Sequence, residues 1–331
     1  MPAAKVRWGL LSTANINRRV IPAIRASRRA ELAAVASRSA AQAQTYAQEW
    51  DIPRSFGSYE AMLTSGQIDA VYISLPNHLH AEWTVQALEA GVHVLCEKPF
   101  ALTLAEVDRM IAAAQANQRA LAEAFMYRHH PQIKTAGEWA HSGRLGEIKM
   151  VTGYFSFRMA QRDDNVRLVP EYGGGSLWDV GVYPLSFAQF IYGGPPLQVN
   201  AFQRPGPTGV DEDFAGQMVY PGGGLAQIGS SFQVPFTTRV EILGTTGRLT
   251  LSHPFTGVED SQVVFHPAEG KPERLKIKKQ ALYQGEVEDI NAAILDGAPT
   301  YISLQESRAH VKTVLALYEA AQSGRTVELG D

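Results

Sequence analysis

The chain has 331 residues, of which 45% are hydrophobic and 19% charged, and its formal net charge is −3. That is the composition of an ordinary soluble protein with room for two domains. With no long run of one sign, and no stretch near the roughly 20 apolar residues of a membrane span, neither nucleic acid nor a membrane is expected as a partner.

Residues 1–127 alternate short apolar runs with helix-like stretches. The runs are VRWGLL (6–11), ELAAVAS (31–37), DAVYISL (69–75), VHVLCE (92–97) and ALAEAFM (120–126). Between them lie amphipathic segments such as AEWTVQALEAG (81–91) and LTLAEVDRMIAAAQAN (102–117). Thr103 and Glu106 form a capping box at the start of the second, and Gly91 stands where the first should stop. Continuous apolar strands separated by helices predict a parallel sheet covered on both faces, a doubly wound α/β domain over 1–127.

The pattern changes after about residue 145. Segments 147–159, 197–204, 214–221, 225–234, 239–252 and 262–267 read as strands, separated by turns such as PGGG (221–224) and GTTG (244–247). One helix is expected over 176–192, and two more over 284–297 and 304–324. Residues 128–331 are therefore expected to form an α+β domain with a mostly antiparallel open sheet, serving substrate binding and oligomerisation.

The turn after the first strand, GLLSTANI (9–16), lies where a dinucleotide site would carry G-x-G-x-x-G. Ser12, Thr13, Ala14, Asn15 and Ile16 replace that fingerprint, with Asn17 at the third glycine. Small residues and hydroxyls there are compatible with a phosphate, and equally with a plain βα turn. The second strand ends in Ser37 and Arg38, with no carboxylate for ribose hydroxyls. An arginine and a hydroxyl can bind a 2′-phosphate, so NADP is favoured over NAD if the domain holds a dinucleotide. Otherwise Arg38 is a solvated residue at a helix start.

In an open parallel sheet, ligands bind beyond the carboxyl ends of the strands. Those ends gather Ser12 and Thr13; Leu75, Pro76, Asn77 and His78; Glu97, Lys98 and Pro99; and Glu123, Tyr127 and Arg128. Pro99 biases Lys98 to extended geometry, aiming it out of the strand tip, and the Lys98–Pro99 bond is a candidate cis peptide. Farther on, GGGSLWDVGVYPL (173–185) sets Asp179 and Tyr183 four residues apart on one helix face. That spacing suits a proton relay or two anchors for a diol; it also suits a helix packed through Trp178 and Tyr183. His78-x-His80 and His129-His130 lack an accompanying carboxylate pattern, so no metal is expected.

SLPNHLHAEWTVQALEAGVHVLCEKPF, AEAFMYRHHPQ and GGGSLWDVGVYPL together resemble the glucose–fructose oxidoreductase / inositol dehydrogenase (Gfo/Idh/MocA) family. The likeness spans nearly the whole chain and is greatest to the branch of dimeric dihydrodiol dehydrogenases and NADP-linked D-xylose dehydrogenases. The resemblance implies that Lys98 is the catalytic lysine, Tyr183 the proton donor or acceptor, and Asp179 the acidic substrate-binding position. It places Pro76, Asn77, His80, Glu97, Tyr127 and Arg128 around the nicotinamide or the substrate. The chain departs from most relatives at Ser12-x-Ala14, where they carry G-x-G, and at Tyr183, where many carry histidine.

The expected activity is hydride transfer between NADP, or NAD, and a CH–OH/C=O carbon of a sugar-like ring, for example C1 of D-xylose or D-glucose. Lys98 would favour the Tyr183 phenolate, since a nearby ammonium lowers a phenol's pKa from about 10. Keto-sugar reduction and trans-dihydrodiol oxidation are alternatives, and a non-catalytic dinucleotide-binding regulator is the competing class. The strand-rich half is expected to pair through its sheet as a homodimer or higher oligomer. Cys96 is the only cysteine, and MPAAKVRWGLL enters a strand without a leader, so a cytoplasmic location is expected.

Overall fold

Each apolar run of the first 127 residues becomes a strand of one parallel sheet in the computed structural model, which describes residues 5–257 and 261–330. Residues 1–4, on which the expectation of a leaderless start partly rests, lie outside the described residues. The chain runs β1 (Val6–Leu11), α1 (Asn17–Ala26), β2 (Ala30–Ala36), α2 (Ala40–Glu49), β3 (Arg54–Phe56), α3 (Tyr59–Leu63) and β4 (Ala70–Ile73). It continues through α4 (His80–Glu89), β5 (His93–Glu97), α5 (Leu104–Ala116) and β6 (Leu121–Ala124). Strand order is β3-β2-β1-β4-β5-β6 with every pair parallel, so the winding reverses between β1 and β4. Strands β4 and β6 are buried at every residue, which explains their unalternating sequences. The Thr103/Glu106 capping box forms at the start of α5. The short β3 escapes a reading by apolar runs because its residues, Arg54, Ser55 and Phe56, are exposed or half-buried at the sheet edge.

The next elements are α6 (Pro131–His141), β7 (Ile148–Ser156), α7 (Val182–Tyr192), β8 (Gln198–Pro205), β9 (Asp211–Val219) and β10 (Leu225–Ser231). They are followed by β11 (Thr237–Gly244), β12 (Gly247–Ser252), β13 (Val263–Pro267), β14 (Glu273–Leu275), α8 (Gln284–Asp296), α9 (Leu304–Ser323) and β15 (Val327–Glu328). Strands β7 to β15 form a nine-stranded sheet ordered β14-β13-β12-β11-β7-β10-β9-β8-β15. All its pairs are antiparallel except β7–β10. The stretch 239–252 is the hairpin β11–β12, closed within the expected GTTG turn by Thr245 and Thr246. Helix α7 packs on one face of β7, and Gly153 makes room there, since a Cβ would lie 2.9 Å from that of Pro184. On the other face Phe202, Ala215, Gly229 and Tyr154 stand in one row of paired residues, leaving two large side chains exposed. No described helix is long and apolar enough to cross a membrane.

By packing, the chain divides into two units: the stretch up to His129 with Tyr283–Arg308, and His130–Leu282 with the stretch from Ala309 on. The boundary read at 127/128 lies two residues before the break at His129/His130, and packing also returns Tyr283–Arg308 to the first unit. The reason lies in α8, which buries Val287 and Ile290. Its Asn291 accepts the Trp8 indole N–H at 3.0 Å and donates to Ser27 Oγ at 3.2 Å. Arg308 forms a two-pronged ion pair with Asp108, and Arg29 pairs with Asp296 at 2.7 Å.

The same helix buries Glu286, 1% exposed, with neither carboxyl oxygen hydrogen-bonded among the described residues. Burial, with Glu97 and Asp289 adding to it, pushes its pKa well above the ordinary carboxylate range. An acid raised in the folded state costs stability once the unfolded chain can ionise, so the loss grows as pH rises above about 4.3. Glu286→Gln should therefore raise the melting temperature at pH 7–8 and leave it unchanged near pH 4. Thermal unfolding of both proteins across that range checks this, and an equal or lower melting temperature at pH 8 contradicts it.

Candidate functional site

The carboxyl edge of the first sheet begins at the turn after β1. Ser12 holds φ at 131°, a region that favours glycine. Its hydroxyl accepts the Ala14 N–H at 3.1 Å and lies 2.9 Å from Ser74 Oγ, while its carbonyl accepts from the buried Asn17 amide at 2.8 Å. The Ser12 hydroxyl thus shapes the turn. Thr13, Ala14 and Ile16 are half-buried and Asn15 is exposed, at the N-terminal end of α1. After β2, buried Ser37 donates to Gln42 Oε1 at 3.0 Å, and exposed Arg38 reaches the Tyr59 hydroxyl.

At the end of β5 the charged pair separates. Glu97 is buried, accepting from the Tyr72 hydroxyl and, at 3.2 Å, from the Lys98 N–H. Burial raises its pKa, against the opposing pull of Lys98 and these donors. Lys98 is half-buried, and the Lys98–Pro99 peptide is cis. Tyr72 comes from neighbouring β4, and sequence reading gave it no role; it stands opposite Leu95, and Glu97, two residues on, shares that face of the sheet.

At the end of β4, Leu75 is buried and Pro76 and Asn77 are half-buried. His80, the first residue of α4, is fully buried, with its ring nitrogens 2.8 Å from the Pro99 and Leu75 carbonyl oxygens. Burial lowers its pKa. The imidazole therefore ties the chain after β4 to the chain after β5. Tyr127 is also fully buried, set edge-on to Phe125. Arg128 is 2% exposed and pairs with Glu306 at 2.5 Å, its guanidinium 5.9 Å from the Tyr301 ring centre. Both residues follow β6, but the Arg128 head group is directed to a partner 178 residues away, within the same unit.

In the second unit, the helix read over 176–192 starts as a π turn, Leu177–Gly181, before α7. Such turns shift the hydrogen-bond register and are frequent at functional sites. Asp179 lies in the turn and accepts from Arg167 Nε at 2.7 Å. Tyr183, the second residue of α7, lies between Phe155 and Phe255, with ring centres 5.3 and 5.5 Å away. Gly181, between Asp179 and Tyr183, lets the turn approach β10; a Cβ would sit 3.0 Å from Ser230 Oγ. Gly174 and Gly175 are likewise sites of close approach. A Cβ at Gly174 would lie 2.6 Å from the Arg167 carbonyl, and one at Gly175 would lie 2.1 Å from Asp211 Oδ1. Asp211 and Arg167 had no local signal; each is known only by what it touches after folding.

The donors of the first unit fit an NADP-type dinucleotide. The end of β2 offers an exposed guanidinium and no carboxylate, and the β1–α1 turn leads to the positive end of a ten-residue helix at the point where winding reverses.

Residues 6–125 match a model described as an oxidoreductase family with an NAD-binding Rossmann fold, and residues 133–250 match the Gfo/Idh/MocA C-terminal domain. The chain is 37% identical to D-xylose 1-dehydrogenase (NADP(+)) 2 of Haloferax volcanii, over 97% of this chain and 99% of that protein. It is 31% identical to trans-1,2-dihydrobenzene-1,2-diol dehydrogenase of Sus scrofa, over 75% of each. A 3-ketoreductase from Actinomadura kijaniata, solved with NADP and TDP-benzene, superposes with a TM-score of 0.89 at 28% identity, covering 96% of this chain and 98% of that one. Both halves match and the likeness to a named dehydrogenase runs nearly end to end, so the chain belongs to the Gfo/Idh/MocA oxidoreductase family.

Proposed function

We propose that this protein is an NADP-dependent oxidoreductase that moves a hydride between the nicotinamide and a CH–OH/C=O carbon of a sugar-like ring, such as C1 of an aldopyranose. The observation that carries this reading is the end of β5. There the carboxylate of the Glu97–Lys98 pair is buried against Tyr72, while Lys98 remains at the half-buried carboxyl edge of the sheet. The likeness to a D-xylose 1-dehydrogenase and a dihydrodiol dehydrogenase supports the substrate class. The likeness to a 3-ketoreductase favours a second reading, the reverse reaction on a keto-sugar.

When bound, NADP would supply the hydride acceptor. Ser37 and Arg38 would hold its 2′-phosphate, and the turn over Ser12–Ile16 its pyrophosphate. Leu75, Pro76, Asn77 and Glu97 would line its nicotinamide side, with His80 holding that edge in shape. Lys98 would hydrogen-bond the reacting substrate oxygen, and Tyr183 would take or return its proton. An ammonium at that oxygen favours the phenolate and so offsets a pKa near 10. Asp179 would accept hydrogen bonds from further hydroxyls, and Tyr127, buried against Phe125, would support the end of β6. Arg128 enters this reading as a support, through its pairing with Glu306. A homodimer or higher oligomer through the nine-stranded sheet belongs to the same reading, supported by the exposed row of Phe202 and Tyr154. So does a cytoplasmic location, supported by the single, buried Cys96.

Lys98→Ala should lower kcat about 10²- to 10⁴-fold on the preferred sugar, with the NADP dissociation constant nearly unchanged. Initial rates over aldoses, inositols, keto-sugars and dihydrodiols identify that substrate, and near-normal turnover by the variant would refute the assignment. Arg38→Ala should weaken NADP by about 10- to 100-fold and leave NAD unaffected, as expected for one charge-assisted hydrogen bond. Cofactor titrations decide this: equal losses for both dinucleotides would remove Arg38 from the 2′-phosphate.

A further inference from the structure

The second unit contains a buried acid that sequence reading gave no role. Asp211, the first residue of β9, is 3% exposed. Its Oδ2 accepts from Ser176 Oγ and from the Leu177 N–H, both at 2.8 Å, and its Oδ1 accepts from the Tyr318 hydroxyl at 2.6 Å. Ser230 of β10 lies 2.9 Å from the Ser176 hydroxyl and extends the chain of bonds. Three segments, β9, α9 and the residues entering the π turn, therefore meet at one carboxylate, and β10 joins them through Ser176.

The contacts are directional. Each group bonded to Asp211 is a donor, which is the arrangement that holds a carboxylate ionised despite burial. Burial raises the Asp211 pKa and these donors oppose it, while the Tyr318 hydroxyl is held far above its usual range and stays a donor. The Leu177 N–H is one of the amides that a helix start leaves without an internal partner. Ser176 stands at the cap position but makes no cap bond of its own, its hydroxyl being turned to Asp211. The missing Cβ of Gly175 admits the carboxylate. Two residues beyond Leu177 comes Asp179, and six beyond comes Tyr183.

We propose that Asp211 is a positioning residue for the reaction: through Ser176, Leu177 and Tyr318 it fixes the π turn Leu177–Gly181, and with it the directions in which Asp179 and Tyr183 are presented. This rests on the reading of Asp179 and Tyr183 given under Proposed function. Asp211 touches neither reacting atoms nor cofactor in that reading. Its effect is on turnover and on the geometry at Asp179, while the cofactor contacts belong to residues of the first unit.

The test uses Asp211→Asn and Tyr318→Phe in the full chain. Asp211→Asn keeps the shape but sets an amide N–H₂ against groups that donate; Tyr318→Phe removes one donor and keeps the ring. Asp211→Asn should lower kcat by about 10- to 100-fold, the size expected for a small misplacement of reacting groups. The KM for NADP should stay within about twofold, and Tyr318→Phe should show a smaller loss of the same kind. Amide hydrogen exchange over 176–183 should accelerate in both variants, with the first unit unchanged. If Asp211→Asn does not fold, Tyr318→Phe decides by the same measurements. Normal kcat with normal exchange over 176–183 in a folded variant would overturn the proposal. So would faster exchange throughout the second unit with unchanged kcat per folded molecule, which marks a general structural role. Exchange needs no turnover: a wild-type protein inactive with every sugar tried would defeat the functional reading, while exchange would still decide whether Asp211 holds the turn.

Discussion

A parallel sheet buried on both faces brings the carboxyl end of every strand to one edge, and the chemistry of the first unit follows from that constraint. The register makes it concrete. Leu11 pairs with Ile73, Ile73 with Cys96, and Glu97 with Ala124. The first polar residues beyond those strands, Ser12, Ser74 and Lys98, therefore emerge at one level without any loop having to carry them there. Reversal of the winding between β1 and β4 leaves that level accessible, because the connecting helices diverge to opposite faces at that point.

Burying polar groups at such an edge requires partners, since an unpaired buried polar group costs about 1–3 kcal/mol. Several polar residues near the edge are consequently supports. Tyr72 holds Glu97, the Leu75 and Pro99 carbonyls hold His80, and Glu306 holds Arg128. The second unit uses the same logic at a helix start, where Asp211 collects donors from strand, helix and turn. A motif such as E-K-P thus contains two kinds of residue. Glu97 is committed to the protein's own backbone and to Tyr72, while Lys98 stands half-buried at the strand tip.

The difference between these kinds explains what could be read from the sequence. Apolar runs and the capping box at Thr103 reflect interactions within a few residues, so the parallel sheet and α5 were legible. Lys98, Asp179 and Tyr183 were legible as candidates because their spacing and their position at element ends carry information. The partners were not. Arg128 and Glu306 are 178 residues apart, Ser176 and Asp211 are 35 apart, and Tyr318 reaches Asp211 across 107. No local pattern encodes such pairs. The return of α8 to the first unit was hidden for the same reason, since an amphipathic helix shows that it packs but not against which sheet.

Ser12 shows what can stabilise the turn after β1 where the glycine fingerprint is absent. A non-glycine residue at φ 131° carries a backbone cost of roughly 1–3 kcal/mol. A glycine would avoid that cost but would also lose the hydroxyl that accepts from Ala14 N–H and meets Ser74 Oγ. Two such bonds, at about 0.5–1.5 kcal/mol each, are enough to offset the strain. Ser74 in turn donates to Asn17 Oδ1 at 2.8 Å, and the Asn17 amide returns to the Ser12 carbonyl. A closed ring of short polar side chains, Ser12, Ser74 and Asn17, thus fixes the path of the backbone through this turn. The residues at Ser12-x-Ala14 therefore set what stabilises the turn, and the turn delivers the chain to the N-terminus of α1.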